Sequence, residues 1–114
     1  MTALEDATAH LAKATEFLEA AELAIDAGLQ NAATSNAVIS GINSKNAICL
    51  QLTGRTGTTG NHAEDIAELN ASGAIGQAQS ATFDRLLRAT SGSDAGQAIG
   101  WAGQLLEAAR WAGR

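Results

Sequence analysis

The 114-residue chain contains no proline, no tyrosine, a single cysteine and no long run of β-branched residues. Without proline nothing forces a helix to break, and without β-branched runs nothing favours strands, so its abundant alanine predicts helix from end to end. The expected class is all-α. A lone Cys49 excludes an internal disulfide; among apolar neighbours it reads as a small buried side chain in a reducing compartment, where a thiolate nucleophile is disfavoured. A zinc site is equally unsupported, and no cofactor is expected. No apolar segment approaches the roughly 20 residues that span a bilayer. Met1 to Glu5 lacks the basic flank and apolar run of a signal peptide. A cytoplasmic protein with no membrane partner is the expectation.

Positive charge is also scarce. A net charge of −5 opposes broad binding to nucleic acid, which depends on counterions released by clustered Lys and Arg, but it leaves room for one focused RNA site. Four of the five arginines (Arg85, Arg88, Arg110, Arg114) follow position 80, whereas Glu5, Asp6, Glu16, Glu19, Glu22 and Asp26 make the first helix acidic. This asymmetry suits pairing with a partner or a second subunit.

What is present points to one helical domain over 1–114, with about five helices in an up-and-down bundle. Thr2 and Glu5 form a capping-box pattern for a helix at about 2–27, which Gly28 ends. Leu4, Leu11, Leu18 and Ile25 repeat every seven residues with Ala7, Ala14 and Ala21 between them, a seam whose small members admit a close neighbour. His10 and Phe17 flank that seam as half-buried packing positions. Asn31 is the expected cap of a second helix reaching Thr53. On it, Ala37, Val38, Ile42, Ile48, Cys49 and Leu52 form one apolar sector, and Ile39 and Leu50 another. Asn36, Ser40 and Asn43 make a polar strip between them, with Ala47 behind. Burial on two sides is implied, one against the chain's own core and one against a second subunit; simple solvation of the strip is the competing reading. Gly41 suggests a close crossing.

The segment Gly54-Arg55-Thr56-Gly57-Thr58-Thr59-Gly60 lacks the Gly-Lys-Ser/Thr ending and the preceding strand of a P-loop, and is no triphosphate cradle. Asn61 caps a third helix, with Glu64 completing the box and Ile66 and Leu69 facing inward; His62 stands at its first position. A fourth helix over about 76–89 is anchored by Phe83, Leu86 and Leu87. A turn at 91–94 leads to a last helix at roughly 94–112, burying Ile99, Leu105, Leu106 and Trp101 or Trp111.

The five-helix order, with Arg55 and His62 separated by six intervening residues between the second and third helices, resembles the HEPN (higher eukaryotes and prokaryotes nucleotide-binding) family. The likeness covers about 5–112 and is strongest in HLAKATEFLEAAELAIDAGLQNAATSNAVISGINSKNAICL and in HAEDIAEL. It implies a metal-independent endoribonuclease, the toxin or defence component of a bacterial operon, acting as a homodimer with the two motifs juxtaposed. By this resemblance Arg55 and His62 are catalytic. His62 would deprotonate the ribose 2′-hydroxyl or protonate the leaving 5′-oxygen, while Arg55 grips the phosphate bidentately. Asn36, Ser40 or Asn43 would orient the histidine or hold RNA. A cognate antitoxin or a nucleotidyltransferase-like protein is the implied partner. Two alternatives stay open: a catalytically inactive HEPN-like dimer binding a nucleotide or partner protein, and a purely structural helical dimer.

Overall fold

Thr2 starts the first helix by accepting the Glu5 amide on its hydroxyl at 3.1 Å, which satisfies one of the unpaired first-turn donors. This helix, α1 (Ala3–Asp26), ends in a Schellman turn: Gly28 takes φ +78°, its amide bonds the Ile25 carbonyl, and the Leu29 amide reaches back to Ala24. The structure is a computed structural model and describes residues 2–57, 60–89 and 94–114. Within these follow α2 (Gln30–Thr53), α3 (His62–Ala71), α4 (Ala74–Leu87) and α5 (Ala95–Ala112), with no strand among the described residues. The expected all-α bundle is observed. No described helix is long and apolar enough to cross a membrane. Thr58 and Thr59 of the glycine loop, and 91–93 of the expected turn, lie outside the described residues.

The starts of α2 and α4 differ from the sequence expectation, and α4 ends two residues short of it, at Leu87. α2 begins at Gln30 with Leu29 at its cap and no capping side chain, so Asn31 is already helical. The Schellman turn accounts for this: Leu29 both closes α1 and accepts the Ala33 amide at 2.9 Å, leaving no spacer for an asparagine to cap. α4 likewise starts earlier, at Ala74, directly after Gly73 at φ +136°.

Side-chain pairings fix the topology. Ser40 Oγ donates to the Ala14 carbonyl at 2.7 Å and His10 Nδ1 lies 2.8 Å from Asn43 Oδ1, so α1 and α2 run antiparallel. The seam between them closes on Ala7, Ala14 and Ala21, all essentially inaccessible, while Leu11 and Leu18 pack beside it and Leu4 is exposed. Small side chains permit the backbone approach that the Ser40–Ala14 bond requires. Gly41 lies against Leu86 of α4 and Leu105 of α5, and Gly113 lies beside Gln51, so α4 descends and α5 ascends along α2. Four helices thus alternate in direction, with α3 inserted in the connection between α2 and α4.

α2 is the axis of the molecule. Every residue from Asn43 to Leu50 is buried, and α4 and α5 pack on α2 at Gly41. Ile39 and Leu52 remain more than a third exposed. On α5, Leu105 and Leu106 are buried and Trp101 packs on the core, whereas Trp111 is 60 % exposed with the Arg114 guanidinium 5.1 Å from its ring centre.

Glycines mark the tightest crossings. A methyl at Gly76 would meet the Leu69 carbonyl and Ser72 Oγ, fixed parts of the α3–α4 corner; one at Gly41 would meet the end of the Leu86 side chain. Overpacking costs about 1–3 kcal/mol, and alanine recovers about 1 kcal/mol of helix propensity. Urea unfolding should therefore show Gly76→Ala destabilised by about 2 kcal/mol, with Gly41→Ala closer to neutral because Leu86 can turn aside.

Candidate functional site

The connection from α2 to α3 doubles back along α2. Gly54 leaves the helix at φ +78°, and Thr53 Oγ1 brackets Arg55, accepting its amide at 3.3 Å and lying 3.0 Å from its carbonyl. The chain then returns far enough for Thr56 Oγ1 to donate to Asn46 Oδ1 at 2.6 Å. α3 starts near Ile42 and Asn46 and runs alongside the second half of α2 until Gly73 meets Leu52. Asn61 caps it through the Glu64 amide at 3.1 Å, as expected.

At the centre of this corner is a lysine with no solvent exposure. Lys45 Nζ lies 2.6 Å from Glu68 Oε1, 3.1 Å from Thr56 Oγ1, 3.3 Å from Asn46 Oδ1 and 3.4 Å from Asp65 Oδ1. Removing an ammonium from water costs several kcal/mol unless charge and hydrogen bonds replace the solvent. Two carboxylates and two neutral oxygens do so here. Glu68 Oε1 also accepts the Gly57 amide at 2.6 Å, so one carboxylate ties the loop backbone, the buried ammonium and α3 together.

The charges act on their surroundings. Burial raises the Glu68 pKa, but the Gly57 amide, Lys45 and the Thr56 hydroxyl outweigh it and leave the carboxyl below its ordinary value of 4.5. Burial pushes the Cys49 thiol up to about 11; Lys45 pulls it down, and Glu68 and Asp65 add to the rise. Cys49 is a protonated core side chain, in line with the sequence expectation.

Arg55 and His62 are both exposed, one on either side of this clamp. Arg55 lines an open depression of about 440 Å³ with Thr53, Thr56, Gly57, Glu68 and Ala71. His62 lines a second, of about 250 Å³, with Ile42, Asn46, Gly57, Gly60 and Asp65. The two depressions adjoin at Gly57; within one chain the guanidinium and the imidazole do not share a cleft. Neither side chain makes a hydrogen bond or ion pair among the described residues.

The polar strip on α2 is turned elsewhere. Ser40 is engaged with Ala14, Asn36 Nδ2 donates to the Ala32 carbonyl at 2.9 Å, and Asn43 Nδ2 donates to Ile39, which aims its Oδ1 at His10. Ser40 and Asn43 therefore serve the α1–α2 seam, and none of the three is hydrogen-bonded to His62. His10 keeps its expected half-buried place and gains a polar partner there.

Sequence reading passed over Lys45, Asn46, Thr56, Asp65 and Glu68. A signal existed: Lys45 is the only charged residue of α2 and, at 100° per residue, falls in the middle of the sector formed by Val38, Ile42, Ile48, Cys49 and Leu52. A charge there must be met by opposite charge, and Asp65 and Glu68, three apart on α3, share one helical face. Among the described residues no group of three or more His, Cys, Asp or Glu side chains is placed to hold a metal ion. Chemically, the corner offers an unpaired guanidinium, an unpaired imidazole and a rigid, charge-compensated support beneath them.

Replacing Lys45 by methionine leaves two carboxylates without their buried counter-ion and should cost about 3–5 kcal/mol in urea unfolding. Arg88→Ala, which removes the exposed pair with Asp84, should cost less than about 1 kcal/mol. Glu68 titrates lower folded than unfolded, so its contribution is present above 4.5 and is lost as pH falls through the folded value. Unfolding free energy should decline over that acid range, and Glu68→Gln should be less stable at neutral pH with a shallower decline. No family model, curated protein or solved structure matches the chain.

Proposed function

We propose that the α2–α3 corner is the RNA-cleaving site of a HEPN-type, metal-independent endoribonuclease. The observation carrying this reading is the pairing of two exposed, unpartnered side chains, Arg55 and His62, on opposite sides of one loop clamped from below by Lys45. An arginine held on a rigid loop presents a fork suited to two phosphate oxygens, and a histidine of unengaged ring nitrogens is equipped to move the proton of a 2′-hydroxyl or a leaving 5′-oxygen. The carboxylates nearby, Asp65 and Glu68, are drawn toward Lys45, which reduces their repulsion of a phosphate.

Arg55 and His62 of one chain line different depressions, so the active unit in this reading is a homodimer in which Arg55 of one copy faces His62 of the other. The toxin or defence role, the cytoplasmic setting and a neutralising partner, whether an antitoxin or a nucleotidyltransferase-like protein, belong to the same proposal. A catalytically silent module that binds a nucleotide or partner protein through this face is the second reading, favoured by that same separation. Its signature is saturable binding without cleavage.

Structured RNA incubated with the protein in EDTA should be cut. His62→Ala should lower the rate about 10²–10⁴-fold and Arg55→Ala about 10²–10³-fold. A mixture of the two inactive variants should recover roughly a quarter of the activity, because half the dimers then carry one intact shared site. Cleavage unchanged in both variants would remove this pair from the mechanism.

A further inference from the structure

Lys45 joins the two segments that carry Arg55 and His62. On one side its ammonium holds Thr56, the neighbour of Arg55, at 3.1 Å; on the other it holds Asp65 and Glu68, one and two turns along α3 from His62. Asn46 Oδ1 accepts from both Lys45 and Thr56, and the Gly57 amide donates to Glu68. Every polar group in this network is therefore shared between at least two of the three elements α2, loop and α3. The ordinary role of such a cluster, keeping a buried charge satisfied, is met by the two carboxylates and Asn46, three acceptors for the three N–H donors of the ammonium. The additional grip on the loop, through Thr56 and Gly57, does something further: it determines where Arg55 stands relative to α3.

We propose that the Lys45–Thr56–Glu68 network is a positioning device: in each copy it fixes the Arg55–Gly57 segment against the His62 end of α3, so that when two copies face each other both shared sites receive a guanidinium and an imidazole at the same spacing. This rests on the ribonuclease reading above. The network touches no substrate. Its effect on the reaction runs through the loop, so loosening it lowers turnover more than substrate binding, in the way that small misplacements of a reacting group do.

Lys45→Met is the obvious variant, but it threatens the fold. Thr56→Val is the sharper probe: it deletes one hydroxyl of the loop and leaves the contacts of Lys45 with Asp65 and Glu68 in place. Full-length wild type, Thr56→Val and Thr56→Ser are compared by thermal unfolding, by exchange of the Gly57 amide hydrogen, and by kcat and KM on a labelled hairpin RNA in EDTA. The expected result for Thr56→Val is an unchanged melting temperature, faster Gly57 exchange from local opening, and kcat lower by roughly 10–100-fold with KM within about twofold. Thr56→Ser restores both exchange and kcat. The triple variant Lys45→Met/Asp65→Asn/Glu68→Gln, a charge-neutral cluster without the ammonium, shows the same loss of kcat.

If wild type cleaves and Thr56→Val exchanges faster at Gly57 with kcat unchanged, the positioning role is overturned while the nuclease stands. Unchanged exchange at Gly57 overturns it equally, since the loop is then held by something else. Wild type that does not cleave the RNA overturns the ribonuclease reading itself, and the positioning role with it.

Discussion

The fold is built around the cost of dehydrating one ammonium group. Lys45 is placed by α2 beneath the α2–α3 corner, in a stretch of eight consecutive buried residues. A buried stretch of helix is favourable for apolar side chains and prohibitive for an isolated charge. The chain meets the cost by bringing α3 alongside with Asp65 and Glu68, to which Asn46 of α2 adds a third acceptor, and the connecting loop folds back far enough for Thr56 to join them. The insertion of α3 between α2 and α4 follows from this need. A bundle of α1, α2, α4 and α5 alone would leave Lys45 facing nothing that could compensate it.

The exposed chemistry inherits its order from that buried pair. Arg55 is the only arginine before position 80, in a protein whose net charge is −5, and it stands over a depression whose floor includes Glu68. Left free, that carboxylate would attract the guanidinium and repel an anionic ligand; occupied by Lys45 and the Gly57 amide, it leaves Arg55 unpaired. Cys49 beside this cluster stays protonated because burial dominates at the thiol, against the pull of Lys45 and with a smaller push from the two carboxylates. Structure and electrostatics at this corner are therefore one problem with one solution.

Much of the architecture could be read from local chemistry. Thr2 and Asn61 cap α1 and α3 as their spacing to Glu5 and Glu64 suggested, Gly28 ends α1, and Gly41 lies at a close crossing. These are short-range signals, complete within a turn or two of chain. Asn31 misled because capping preference ignores the preceding turn, and the Schellman closure of α1 had already used the space. Asn36, Ser40 and Asn43 were legible as a polar strip but not as to destination: Ser40 and Asn43 bond α1, across sequence separations of 26 and 33. The importance of Lys45 was hidden for the same reason, since its partners lie up to 23 residues away. Burial of α2 on more than one side was legible: α1 meets it at Ser40, and α4 and α5 meet it at Gly41.

The hairpin seam of Ala7, Ala14 and Ala21 against α2 has a consequence for how this sequence can drift. In a leucine-lined core the common damaging change is truncation, which leaves a void. Here the contact residues are already near the minimum of side-chain size, so little can be carved away. Growth is the hazard, since one added methyl at Ala14 would wedge the helices apart and stretch the Ser40–Ala14 bond. Mutational tolerance along this interface is thus inverted: the hairpin survives shrinkage and is broken by bulk.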